Sequence, residues 1–217
     1  MEAEPERLGE VLDKLRPTLA SRVNPPPTGR SVTGTSLPTR EWPANVRPGT
    51  WGEVPAQKRK QFAEAAASQR WPILVLGDVG VGKSTLAALA YRDWGGTTAK
   101  FMSAALAATL LKQASMGGVV LPGAMYEVGD ASVMKSWCEN TGLLVLDDLT
   151  NGHAFENSKQ MLWRIIDGRA GRPAIYTANG TPDELAAFFG MSLKDRLFQG
   201  TTILWGGASR RKGKLVV

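Results

Sequence analysis

The stretch Gly77-Asp78-Val79-Gly80-Val81-Gly82-Lys83-Ser84 narrows the folds open to this chain more than any other part of it. It matches G-x-x-x-x-G-K-[ST], it follows the apolar run 73–76, and it opens a helical run over 85–91. Strand, glycine-rich turn and helix in that order are the setting in which this pattern cradles phosphates. The glycines let the backbone curl so that successive N–H groups point inward, and the helix N-terminus adds partial positive charge. Lys83 is placed to span the β- and γ-phosphates, and Ser84 to offer its hydroxyl to Mg2+. The expected nucleotide contacts are therefore Gly77, Asp78, Val79, Gly80, Val81, Gly82, Lys83, Ser84 and Thr85. A glycine-rich turn without a ligand is the plainer reading, and it leaves the lysine at that position unexplained.

A second half-site follows. Leu143-Leu144-Val145-Leu146-Asp147-Asp148 reads as a buried strand ending in two carboxylates, as a Walker B strand does. Asp147 is the expected Mg2+ partner and Asp148 the residue expected to polarise the attacking water; an Asp-rich turn after a strand is the alternative. The run Ala174-Ile175-Tyr176-Thr177-Ala178-Asn179 is another buried strand, ending in an amide that could order that water or simply form a turn. Thr181-Pro182-Asp183-Glu184 then reads as a capping box with Pro at the first helical position, which puts Asn179 in a short strand-to-helix loop. Arg196 lies on an expected helix before the last strand, and read alone it is an exposed arginine paired to Asp195 or a neighbour.

Apolar runs at 73–76, 101–102, 143–146, 174–177 and 202–204 are each separated by enough chain for a crossover helix, so the fold class is α/β with a largely parallel sheet. Ahead of this, Leu8, Val11, Leu12, Leu15 and Leu19 fall at helical spacing, and 1–23 is expected to be an amphipathic helix, packed on its own domain or docking a partner. Residues 24–49 carry Pro25, Pro26, Pro27, Pro38, Pro43 and Pro48 without periodicity and are expected to be a linker. The third unit is 50–217, with a capping box at Thr50 to Glu53 leading into a helix over 57–67. With 217 residues there is length for one medium domain and an appendage. The lone cysteine, Cys138, rules out an internal disulfide and reads as a buried small side chain. No apolar run nears the roughly 18 residues of a membrane span, and the acidic start does not look like a secretory signal, so a soluble, cytoplasmic protein is expected. A net charge of +6 favours a polyanionic partner. His153, the only histidine, sits in a polar loop with no obvious partner, and the seven Trp read as packing residues.

Taken in order, these motifs make the chain similar to the DnaC/IstB group of AAA+ ATPases. The resemblance runs from about Pro72 to Arg211 and is strongest over 143–149, 175–185, 195–197 and the closing Gly207-Ala208-Ser209-Arg210. It implies a sheet of strand order 5-1-4-3-2, Asn179 as sensor 1, and Arg196 as an arginine finger acting on ATP held by a neighbouring subunit. Lys112 on the helix over 103–113 is expected to touch single-stranded DNA or to form a solvated helix face, and Arg210 and Arg211 to grip phosphates or to solubilise the terminus. Three departures stand out: no C-terminal helical lid is expected after the last strand, a short N-terminal helix on a Pro-rich tether stands in for the more substantial helicase-binding domain of some loaders, and Asp148 stands where the wider superfamily carries Glu, which predicts slow basal turnover. The resemblance implies a helicase loader in DNA replication, with ATP and Mg2+ as cofactors. Its partners would be a hexameric DnaB-type replicative helicase docked by 1–23, single-stranded DNA, and further copies of the chain in a ring or spiral, with no membrane involved. The alternatives are an IstB-like helper that recruits a transposase on duplex DNA and a small-molecule P-loop kinase acting as a monomer.

Overall fold

The computed structural model describes residues 40–96, 98–120, 127–128, 136, 138–150 and 156–207. Among these, five strands form one parallel sheet: β1 (Ile73–Gly77), β2 (Ala99–Ser103), β5 (Leu143–Asp147), β6 (Ala174–Asn179) and β7 (Thr201–Leu204). Their spatial order is β2-β5-β6-β1-β7, which read from the other edge is the expected 5-1-4-3-2. A two-stranded antiparallel ribbon, β3 (Val119–Val120) with β4 (Glu127–Val128), was not signalled by the sequence. The helices are α1 (Ala56–Ala67), α2 (Lys83–Arg92), α3 (Ala104–Ser115), α4 (Glu156–Gly168), α5 (Pro182–Phe189) and α6 (Met191–Phe198). No helix of the described residues is long and apolar enough to cross a membrane.

Why the strands read as unbroken apolar runs is visible in how their side chains divide. In β1, Ile73 and Val75 belong to one hydrophobic cluster and Leu74 and Leu76 to another; in β5, Leu143 and Val145 separate in the same way from Leu144 and Leu146. Successive strand side chains point to opposite faces, so a sheet covered by helices on both sides needs apolar residues at every position. One face packs against α1 and α2 through Phe62, Leu86 and Leu89, closed by Trp71, Trp94 and Trp205. The other packs against α3, α4, α5 and α6 through Leu111, Ile165, Leu185 and Leu197. Cys138, fully buried, lies in this second cluster.

Local chemistry sets the helix starts. Ser103 caps α3 by accepting a hydrogen bond from the Leu106 N–H, and Thr181 and Glu184 form the full capping box at α5. The capping box expected at Thr50 does not form: Thr50 makes no side-chain cap, Trp51–Glu53 is a 3-10 turn, and α1 begins after Pro55. Two residues between Glu53 and α1, with Pro at the boundary, break the register that a box requires.

The linker expected over 24–49 needs correction at its C-terminal end. From Arg40 onward the chain is strapped to the domain: the Arg40 guanidinium donates to the carbonyls of Trp94 and Gly96 at 2.6 Å each, Val46 is buried, and the Trp42 indole donates to the Val46 carbonyl. Pro content signals an extended backbone, but an extended chain still buries itself where tryptophan and arginine find partners. Residues 1–23 and 24–39 lie outside the described residues.

Candidate nucleotide site

Parallel register brings the chemistry to one end of the sheet. Gly77 at the end of β1 stands beside Asn179 at the end of β6, and Ser103 at the end of β2 beside Asp147 at the end of β5. Strand ends of this kind, on the carboxyl side of a parallel sheet, are where α/β proteins place ligands.

The glycine-rich loop takes the conformations that only glycine adopts readily, with Gly80 at φ +83° and Gly82 at φ +103°. A Cβ on Gly77 would run into the Trp205 carbonyl, so the loop can enter the site only because this position lacks a side chain. Trp205 supports it from below: its indole donates to the Val81 carbonyl at 3.2 Å, and its backbone N–H to the Leu76 carbonyl. Val79 is exposed at the loop, and Thr85 at the start of α2 lies close under Gly49 of the strap.

Lys83 is 6 % exposed, and its ammonium donates to the carbonyls of Gly77 at 2.8 Å and Asp78 at 2.7 Å and to Asn179 Oδ1 at 2.8 Å. The Asn179 amide then donates from Nδ2 to Asp148 Oδ1 at 2.9 Å. A chain of direct hydrogen bonds thus joins Lys83, the Asn179 amide and Asp148. Asp147 is buried; its Oδ1 accepts from the Thr177 hydroxyl at 2.6 Å. Burial pushes its carboxyl above the usual range, the hydrogen bonds from Thr177 and Ser84 pull it down, Asp148 raises it and Lys83 lowers it.

The donor set fits the expected ligands. Asp147 and Ser84 are hydrogen-bonded to each other, and among the described residues no three His, Cys, Asp or Glu side chains group to hold a metal unaided. One carboxylate and one hydroxyl, completed by phosphate oxygens and water, is how Mg2+ is held at nucleotide sites.

Other expected site residues stand apart. Arg196 does not join the network: its Nε pairs with Asp167 Oδ1 on α4 at 2.7 Å, both side chains part-exposed, where Asp195 or a neighbour was expected. Lys112 lies exposed in the last turn of α3. Arg210, Arg211 and His153 fall outside the described residues. Sequence reasoning passed over Thr177, Thr150 and Trp205. Thr150 Oγ1 accepts from the Asn179 N–H at 3.0 Å, and the Thr177 hydroxyl takes the Asp148 N–H at 2.8 Å. The available signal was a polar residue inside the apolar strand 174–178, since a buried hydroxyl must find a partner.

No family model matches the chain, and no curated protein matches it either. Solved structures do. The AMPPCP-bound DnaA of Aquifex aeolicus superposes with a TM-score of 0.57 at 18% identity, over 70% of this chain and 47% of that one. The DnaC helicase loader superposes at 0.53 with 17% identity, over 75% of this chain and 95% of that one. The fold is the one seen in DnaA and DnaC. DnaI agrees, with a TM-score of 0.51 at 18% identity over 74% and 89% of the two chains. The chain thus spans about half of the DnaA structure and nearly all of the DnaC and DnaI structures.

Proposed function

We propose that this chain is an ATP-dependent helicase loader of DNA replication. In this reading it assembles under ATP control on a hexameric DnaB-type helicase and on single-stranded DNA, with 1–23 as the docking segment. The observation that carries the reading is the continuous network Lys83–Asn179–Asp148 beside the Asp147–Ser84 pair. It supplies a phosphate lysine, a metal acid and a water-directed acid at the end of one sheet. Support for replication over transposition comes from the neighbours, which are a helicase loader and replication initiators, one of them bound to AMPPCP and single-stranded DNA.

In mechanism, the loop N–H groups of Gly80 to Ser84 bind the phosphates and Lys83 exchanges its carbonyl and amide partners for phosphate oxygens. Asp147 and Ser84 would hold Mg2+, which would supply positive charge against the phosphates. Asp148 accepts a proton from the attacking water, while the Asn179 amide fixes the carboxylate's direction. Arg196, held part-exposed by Asp167, acts on the nucleotide of a neighbouring copy, so hydrolysis requires assembly. Turnover of the isolated chain is slow because that arginine is missing and because Asp148 is one methylene shorter than Glu.

The test is nucleotide binding and co-purification from the native cell. Lys83→Ala is expected to lose ATP binding, and the wild-type chain to bring a replicative helicase with it only when ATP is present. Full ATP binding by Lys83→Ala, or recovery of a transposase in place of the helicase, overturns the reading.

A further inference from the structure

Two acids in succession at the end of a strand present a geometric difficulty. Side chains alternate across a strand, so Asp147 and Asp148 would face opposite sides of the sheet if β5 simply continued. They do not. Asp147 reaches Thr177 and Asp148 reaches Asn179, and these two residues, two apart on β6, lie on the same side of it. Alternation is broken at Asp148, whose φ is +59°; among the described non-glycine residues only Gln69 shares a positive φ. A non-glycine residue stays in that region only where its surroundings hold it there.

Among the described residues, Thr177 makes the bonds to the backbone there. The β5–β6 pairing ends at Leu146 opposite Tyr176. Beyond that point Thr177 takes over: its hydroxyl accepts from the Asp148 N–H at 2.8 Å and its carbonyl from the Leu149 N–H at 2.8 Å. The single hydroxyl hydrogen is donated to Asp147 Oδ1 at 2.6 Å. Thr177 is 1 % exposed, so no solvent competes for these bonds. A hydroxyl has one hydrogen and two lone pairs, and it is the only uncharged side-chain group small enough here to accept from one acid's backbone while donating to the other acid's carboxylate.

We propose that Thr177 is a positioning residue for the hydrolytic site. Its hydroxyl turns the backbone at Asp148 out of the strand so that both acids serve one nucleotide. The proposal rests on the ATP-hydrolysis reading for its consequence, and on geometry alone for the placement itself.

Thr177→Val keeps the branched shape and removes the hydroxyl; Thr177→Ser keeps the hydroxyl and removes the methyl. Thr177→Ala is run in parallel, so that the result does not hang on whether valine folds. Each is made in the full chain. The first readout is amide hydrogen exchange at Asp148 in nucleotide-free protein. Protection should fall at least about tenfold in the Val and Ala variants, as expected for loss of a buried local bond, and persist in Ser. The second is the split between kcat and KM for ATP, with the Mg2+ concentration needed for half-maximal turnover. In Val and Ala kcat should fall about 10–100-fold, the usual size of an outer-shell effect. KM should stay within about threefold and the Mg2+ requirement should rise, while Ser recovers most of the loss. Wild-type exchange at Asp148 in Val and Ala, wild-type turnover in a variant that has lost the protection, or a Ser variant as impaired as Val, overturns the proposal. A wild-type chain that neither binds nor hydrolyses ATP defeats the functional reading instead, and leaves the exchange result to decide where Thr177 holds the backbone.

Discussion

Asp147 and Cys138 are both buried titratable side chains that burial pushes upward, and they differ in what opposes it. Burial raises the Asp147 carboxyl above its usual range, while donors on its oxygens from Thr177 and Ser84, and Lys83 nearby, pull it back down. The thiol has none of these. Burial pushes Cys138 up to about 12, against a smaller opposing influence from Arg169, so it stays a neutral thiol at any ordinary pH. Native protein at pH 8 should therefore leave Cys138 unmodified by a maleimide or by Ellman's reagent, and stoichiometric labelling should appear only on unfolding. Rapid labelling of the native protein, followed by mass spectrometry, would contradict this.

Elements meet at points where one side chain satisfies several backbone groups. Arg169, just beyond α4, is 1 % exposed and directs its guanidinium at the carbonyls of Glu139, Thr141, Gly142 and Pro173, which lead into β5 and β6. Desolvation lowers its pKa to about 10, so it remains charged under physiological conditions. The loops that enter β5 and β6 are thereby fixed at the end of the sheet opposite Asp147 and Asn179. At the other end of β6, the capping box of Thr181 and Glu184 starts α5 three residues after Asn179, and so limits how its amide can move. Thr181→Ala should cost about 1 kcal/mol, lowering Tm by roughly 2–4 °C for a domain of this size. Thr181→Ser should be close to neutral. An unchanged Tm in the alanine variant would show that Pro182 at the helix start suffices by itself.

At the scale of the whole molecule two features matter, the strap and the exposed arginine. Residues 40–53 cross the start and end of α2: Gly49 lies against Thr85, the Trp51 indole donates to Asp93 at 2.6 Å, and Arg92 sits over the Trp42 ring. The helix that carries Lys83 is thus tied to the segment leading toward the N-terminus. Arg40→Ala removes two charge-assisted bonds, each worth about 1.5–3 kcal/mol at most. A thermal melt of the full chain should show a loss of several degrees, whereas wild-type melting would return 40–49 to the status of a linker. For Arg196, mixing Arg196→Ala with Asp148→Asn should restore part of the ATPase activity, because each variant supplies the half-site that the other lacks. Absence of rescue at every ratio would rule out action between copies.

Much of this was legible in the chain before any coordinates. The glycine-rich turn before α2, the strand ending in Asp147, the strand ending at Asn179 and the parallel sheet all follow from local pattern, because a glycine turn, a buried strand and a helix cap are set by residues within a few positions of one another. Partnerships across the sheet were not legible. Arg196 finds Asp167, Arg40 finds Trp94, and Thr177 finds both acids, across separations from 29 to 54 residues. Nothing local distinguishes such a threonine from any β-branched strand residue, or such an arginine from one in solvent. The residue types present at the site were determined by sequence alone. Which of them face one another was decided by strand order and register, since parallel pairing aligns strand ends that lie far apart along the chain.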